Sequence, residues 1–170
     1  MASPENKDAV ALLKNDHRKV EELFADFEKA SGEGRKARIA QQICLELTVH
    51  AEIEEKIFYP ACEGKVEEDL LKEAYVEHDG AKVLIAEIEA NEAGGDDYFD
   101  AKVKVLQEQI EHHVEEEEKR MEGLFAQARK AGLDMDALGA EMAAMKQELI
   151  ANYSKGLPKP ELTTMTETQI

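Results

Sequence analysis

Apolar residues recur along this chain at steps of three and four, the spacing that lines one face of an α-helix. The stripes run Leu13, His17, Val20, Phe24, Phe27, then Ile43, Leu47, His50, Glu54, Ile57, Ala61. They resume as Leu71, Ala74, His78, Ala81, Ile85, Ile88, and again as Leu106, Ile110, His113, Glu117, Met121, Leu124. Six positions in these stripes are His or Glu where a core residue belongs.

The punctuation between stripes predicts the helices. Ser3-Pro4 reads as an N-cap followed by proline at the first helical position, with Glu5 and Asp8 near the positive end of the dipole. The first helix then covers about Pro4 to Ala30 and ends at Ser31-Gly32-Glu33-Gly34. A second covers about Arg35 to Tyr59, stopped by Pro60. A third covers about Glu67 to Asn91, closed by Gly94-Gly95-Asp96-Asp97. Asp96 or Asp97 can cap a fourth, about Tyr98 to Lys130, and Gly132 precedes a shorter fifth, about Met135 to Tyr153. From Ser154 the apolar period is lost among Gly156, Pro158, Pro160 and polar residues, which predicts a disordered tail over 154–170. Long helices joined by short loops pack up-down-up-down. The expected architecture is all-α: a four-helix bundle over 1–132, an additional C-terminal helix over 133–153, and the tail.

The polar residues in the stripes form one device written twice. A lone His is followed about thirty residues later by a His with Glu four positions on: His17, then His50 and Glu54; His78, then His113 and Glu117. His-x-x-x-Glu places both side chains on one helix face. Antiparallel fold-back, at about 1.5 Å per residue, brings the two histidines of each half to similar depth. A carboxylate buried without a partner costs several kcal/mol, and bound cations remove that penalty. The pattern is therefore a ligand set for a pair of metal ions.

Composition narrows the partners. At 170 residues the chain is one domain's worth. A formal charge of -17 repels phosphate backbones and anionic lipid, which disfavours nucleic acid, while acidity itself chiefly serves solubility. No stretch approaches the roughly 18 apolar residues of a membrane span, and Met1 to Val10 lacks the features of a secretion signal. Cys44 and Cys62 have no C-x-x-C spacing, in keeping with a reducing compartment. The expectation is a cytoplasmic protein with no membrane partner, monomeric or homodimeric. Both cysteines read as inert small residues rather than redox partners.

The sequence resembles the hemerythrin-like (HHE) cation-binding domains over about residues 9 to 130. The resemblance is carried by Asn15-Asp16-His17-Arg18-Lys19-Val20, by Glu77-His78, by His113-Val114-Glu115-Glu116-Glu117-Glu118, and most specifically by His50-Ala51-Glu52-Ile53-Glu54-Glu55-Lys56-Ile57-Phe58-Tyr59-Pro60. It implies two iron ions, oxo- or hydroxo-bridged, in preference to manganese or zinc. His17 and His50 would hold one iron and His78 and His113 the other, with Glu54 and Glu117 bridging. Oxygen-carrying hemerythrins have a further His one turn before the third-helix ligand, where this chain has Ala74. The symmetric set left behind looks more like the peroxide-handling members, which implies decomposition or reduction of hydrogen peroxide in an oxidative-stress or iron-handling role. Reversible dioxygen binding, or iron and oxygen sensing without catalysis, is the alternative.

Neighbouring residues carry weaker signals. His112 adjoins His113, but Glu108 and Glu116 mark its face as solvated. Glu55 and Glu118, each following a candidate ligand, are either solvated or in a supporting position around the site. Tyr59, five residues after Glu54, is a candidate catalytic residue that could hydrogen-bond to or ligate at the metals, or equally a helix-end packing group. Leu138, Met142, Met145 and Leu149 on the fifth helix suit core packing or a dimer seam.

Overall fold

The computed structural model describes residues 8–91 and 93–166. The cap expected at Ser3-Pro4, with Glu5 beside it, lies outside these residues. Helix α1, Ala9–Lys29, instead begins at Asp8, whose Oδ1 accepts the Ala11 N–H at 2.8 Å and so satisfies one of the first-turn donors. Gly32, at φ 94°, turns the chain into α2, Glu33–Ile53. After a non-helical stretch over 63–67 come α4, Glu68–Ala90, and α5, Phe99–Glu118. Helix α1 packs on α2, α4 on α5, and α2 on α4. The described residues form an all-α bundle, and no helix among them is long and apolar enough to cross a membrane.

The second helix does not stop at Pro60. A π-helical turn over Glu54–Phe58 is followed by a last short helix, α3, Tyr59–Cys62, with Pro60 in its first turn. The Tyr59 N–H donates to the Glu54 carbonyl, five residues back. A widened turn eases the clash between a proline ring and the carbonyl four residues earlier. It also adds one residue to the period. The buried face after Glu54 is therefore Phe58, Tyr59 and Cys62, whereas the expected Ile57 and Ala61 are only partly buried.

The fourth helix also departs from expectation, because it ends at Glu118 rather than near Lys130. Met121 takes φ 70° and is 82% exposed, so it does not belong to the core stripe. The chain re-enters helix at Gly123, where a Cβ would come within 2.6 Å of the Lys119 carbonyl oxygen; only glycine allows this close turn. Helix α6, Leu124–Lys130, leaves at a new angle and buries Leu124, Phe125 and Ala128. Helix α7, Met135–Tyr153, is capped by Asp134 and packs on α1 and α2, with Met142 and Leu149 buried and Leu138 and Met145 against the same cluster.

Residues 154–166, part of the expected disordered tail, run back over α4 as a strap. Asp79, fully buried, accepts N–H donors from Thr163 at 2.9 Å, Thr164 at 2.6 Å and Met165 at 2.9 Å, and the Thr164 hydroxyl at 2.6 Å. Burial opposes its ionisation, yet these donors hold the Asp79 carboxyl at about 2. Lys82 donates to the Glu161 carbonyl at 3.0 Å. No apolar period announces such a segment, since a single buried carboxylate collects its donors.

The core is two apolar layers. One, built on Val10, Leu13, Ile53, Phe58, Leu124 and Met142, closes the α6 and α7 end. The other, built on Val20, Phe24, Ile43, Ile85, Phe99 and Leu106, closes the opposite end. The polar stripe residues lie between them. If the strap depends on Asp79, Asp79→Ala should speed amide exchange at Thr163, Thr164 and Met165 by about tenfold or more relative to the α4 interior. Exchange unchanged at those amides would show that the strap is held by other contacts.

Candidate metal centre

The structure brings all six stripe residues to one level of the bundle and buries them: Glu54 is 0% and Glu117 1% exposed, and His17, His50, His78 and His113 lie between 4% and 6%. Their ligand atoms form two groups. His17, His50 and Glu117 make one, and Glu54, His78 and His113 the other; within each group the donor atoms lie within 4.8 Å of one another, an arrangement that could hold a metal ion. Each glutamate also reaches the other group. Glu54 Oε1 is 2.9 Å from His50 Nε2 and 3.2 Å from His78 Nε2. Glu117 Oε1 is 3.2 Å from His17 Nε2 and 3.1 Å from His113 Nε2.

Each imidazole turns Nε2 inward and anchors Nδ1 on an outer carboxylate. His17 meets Glu118 at 2.6 Å, His50 meets Asp16 at 3.0 Å, His78 meets Glu55 at 3.2 Å, and His113 meets Glu77 at 3.0 Å. An anchored Nδ1–H fixes the ring and leaves Nε2 as the donor atom, the arrangement that supports histidine ligands in metal sites. Three of the outer carboxylates are themselves held by cations: Glu118 by Arg18, Asp16 by Lys146 of α7, and Glu55 by Lys82 at 2.9 Å.

Of these four anchors, Asp16 and Glu77 carried no assigned role in the sequence reading, and Glu55 and Glu118 were left between two roles. The legible signal was an acid directly before each lone His, and a second acid directly after each stripe Glu. Which imidazole each acid meets depends on the packing of other helices. His112 stays outside, with its side chain 65% exposed.

Tyr59 enters the site because of the π-turn. Its hydroxyl donates to Glu117 Oε2 at 2.8 Å and stands 3.2 Å from His78 Nε2 and 3.3 Å from His113 Nε2. Tyr75 packs edge-on against its ring with centroids 5.2 Å apart. Phe125, delivered by the break before α6, stacks on His17 at 5.8 Å.

The electrostatics are those of buried ion pairs. Burial pulls the His50 pKa down, but Glu54 and Asp16 overcome it and raise it to about 10. Burial likewise pulls the His113 pKa down, but Glu117 and Glu77 outweigh it and raise it well above the ordinary imidazole value. Glu117 is held well below the carboxylate range against its burial by His113 and His17. Burial, then Glu117 and Glu54, push the Tyr59 phenol well above its ordinary value, so it remains a donor.

The donor set fits metal cations. Among the described residues, His17 Nε2, His50 Nε2, both Glu54 carboxylate oxygens and Glu117 Oε1 are buried with no hydrogen-bond partner. Four of these atoms face one another only as ion pairs, and polar atoms that converge in a packed interior without hydrogen bonds are costly, which calls for a shared partner.

The Hemerythrin HHE cation binding domain family matches residues 8–125, and the chain belongs to that family. Among solved structures, a hemerythrin HHE cation binding domain-containing protein from Mycobacterium kansasii superposes with a TM-score of 0.71 at 20% identity, covering 85% of this chain and 88% of that one. A protein named DNA nickase from Nostoc sp. (strain PCC 7120) is 30% identical over 118 residues, 69% of this chain. The chain spans about a third of that relative's length, 32%.

Both cysteines are buried thiols. Burial, with Glu89 beside it, raises Cys44 far above its usual range, and burial pushes Cys62 up to about 12. Few thiolates form at neutral pH under those conditions. Iodoacetamide at neutral pH should leave the native chain unmodified by mass spectrometry under conditions that label a peptide thiol fully, and should add two labels in denaturant. Rapid labelling of the folded chain would place a thiol at the surface.

Proposed function

We propose that this chain is a non-haem di-iron protein that decomposes or reduces hydrogen peroxide. The observation that supports it most is the pair of buried three-donor groups sharing Glu54 and Glu117, with five of their ligand atoms making no hydrogen bond. His17 and His50 would hold one ion, His78 and His113 the other, with Glu54 and Glu117 spanning both. A pair of irons, when bound, can exchange two electrons with one peroxide molecule.

The chain's own residues supply the rest. The four outer carboxylates keep the imidazoles aimed inward. The apolar layers on either side bury the six residues and give their charges greater weight. Tyr59 holds its proton at the hydroxyl, donates to Glu117, and is placed to donate to an oxygen species entering between His78 and His113. Ala74, buried one turn before His78, adds no further imidazole, so access on that side is left to Tyr59. This composition favours turnover over clean reversible dioxygen binding.

Cleavage of DNA does not carry over from the Nostoc relative on these grounds. The shared segment is about a third of that protein, and a charge of -17 repels a phosphate backbone.

Two measurements test the reading. Metal analysis should find about two ions per chain, lost in large part in His50→Ala and Glu117→Ala and retained in His112→Ala. Loss in His112→Ala with retention in His113→Ala would overturn the ligand assignment. The iron-loaded chain should consume hydrogen peroxide, and Ala74→His should slow it while metal content and melting temperature, measured alongside, guard against simple overpacking of about 1–3 kcal/mol. A chain that holds two irons, consumes no peroxide and binds dioxygen reversibly would replace the enzyme with a carrier.

A further inference from the structure

A cavity of about 1070 Å³ opens from the histidine cluster into the bundle and out between α2 and α4. Hydrogen peroxide and dioxygen need little more than the roughly 30 Å³ that one water takes in the liquid. The cavity is instead at the upper end of the range that holds organic ligands, about 300–1000 Å³. Its size is unexplained by the proposed peroxide chemistry.

Its walls describe what would fill it. Beyond His17, His50, His78 and His113 the inner lining is Val20, Leu47, Ala81, Ile85, Ile110 and Val114, drawn from all four bundle helices. The outer wall is the strap, with Leu157 and Leu162 partly buried and turned onto the same space. The rim is acidic, at Glu52, Glu63 and Glu89. The three lysines that line it are already committed: Lys82 to Glu55 and Asp79, Lys56 to Glu52, and Lys159 of the strap, which is likewise engaged. An anion would therefore enter against charge and find those cations taken, while a neutral apolar molecule would find continuous apolar wall.

We propose that this cavity is a binding site for a neutral, apolar organic molecule, enclosed by the 157–163 strap and seated with its inner end against the four-histidine cluster. Binding rests on the cavity alone. Any role of the bound molecule as a partner in the metal chemistry rests on the reading of the centre given above. The strap links the two, because the Thr163 hydroxyl donates to Glu55 Oε1 at 2.6 Å and Glu55 in turn holds His78.

Fluorescence titration of the full chain with N-phenyl-1-naphthylamine, a neutral apolar dye, tests the site in protein as purified and after chelation, with folding followed by circular dichroism. Saturable binding is expected, displaced by decan-1-ol and not by decanoate. Ala86→Trp, which fills the groove from α4 at a partly exposed position, should weaken binding about tenfold or more, whereas Val83→Trp on the exposed side of α4 should not. If Ala86→Trp proves unfolded, Leu162→Lys, which sets a charge on the strap wall, should show the same loss. Absence of saturable binding to folded protein, equal displacement by decanoate, or indifference to these substitutions would overturn the proposal. Dye binding by a chain that takes up no iron when supplied with it would leave the cavity standing and remove the di-iron reading; metal and peroxide activity without dye binding would do the reverse.

Discussion

Two carboxylates and four imidazoles buried in the middle of a helical bundle are the constraint around which this molecule is arranged. Any one of these groups, placed in an apolar interior without a partner, would cost several kcal/mol, a large part of a domain's net stability. Here they neutralise one another in part through buried ion pairs, yet five ligand atoms still lack hydrogen-bond partners. Cations shared between the two donor groups would complete the set. The apolar layers above and below leave the side cavity as the approach for water, and the low exposure of all six residues is what makes completion of the set matter so much.

The supporting shell ties the two halves of the chain together. Within each half the acid preceding the lone His anchors the second His, as Asp16 does for His50 and Glu77 for His113. Between halves the acid following the stripe Glu anchors the other half's lone His, as Glu55 does for His78 and Glu118 for His17. Neither half can therefore position its own imidazoles fully. Two local irregularities serve the same centre: the π-turn carries Tyr59 into it, and the break before Gly123 lets Phe125 stack on His17. Helix α7 contributes Lys146 to Asp16 and the strap contributes Thr163 to Glu55, so segments beyond the bundle reach the ligands through one carboxylate each.

The bundle and the six central residues were legible because helical period is a local property: a His or Glu standing in an apolar stripe is visible wherever the stripe is. The convergence of these residues followed from helix length and short loops. What stayed hidden depended on contacts between distant residues or on backbone choices that leave no compositional mark. The sequence from Glu115 to Met121 reads as uninterrupted helix, and only the close approach at Gly123 reveals why it ends. The residue gained in the π-turn moved burial from Ile57 and Ala61 to Phe58, Tyr59 and Cys62. The strap looked disordered because its donors are backbone N–H groups and threonine hydroxyls, and their acceptor, Asp79, lies more than eighty residues away.

The central claim is that cations in this centre hold the bundle together. The most direct test is the melting temperature of the full chain with metal and after removal verified by elemental analysis. The melting temperature should fall by about ten degrees or more on removal, since partly compensated carboxylates and imidazoles are then left buried in the bundle. An unchanged melting temperature in verified metal-free protein would contradict it.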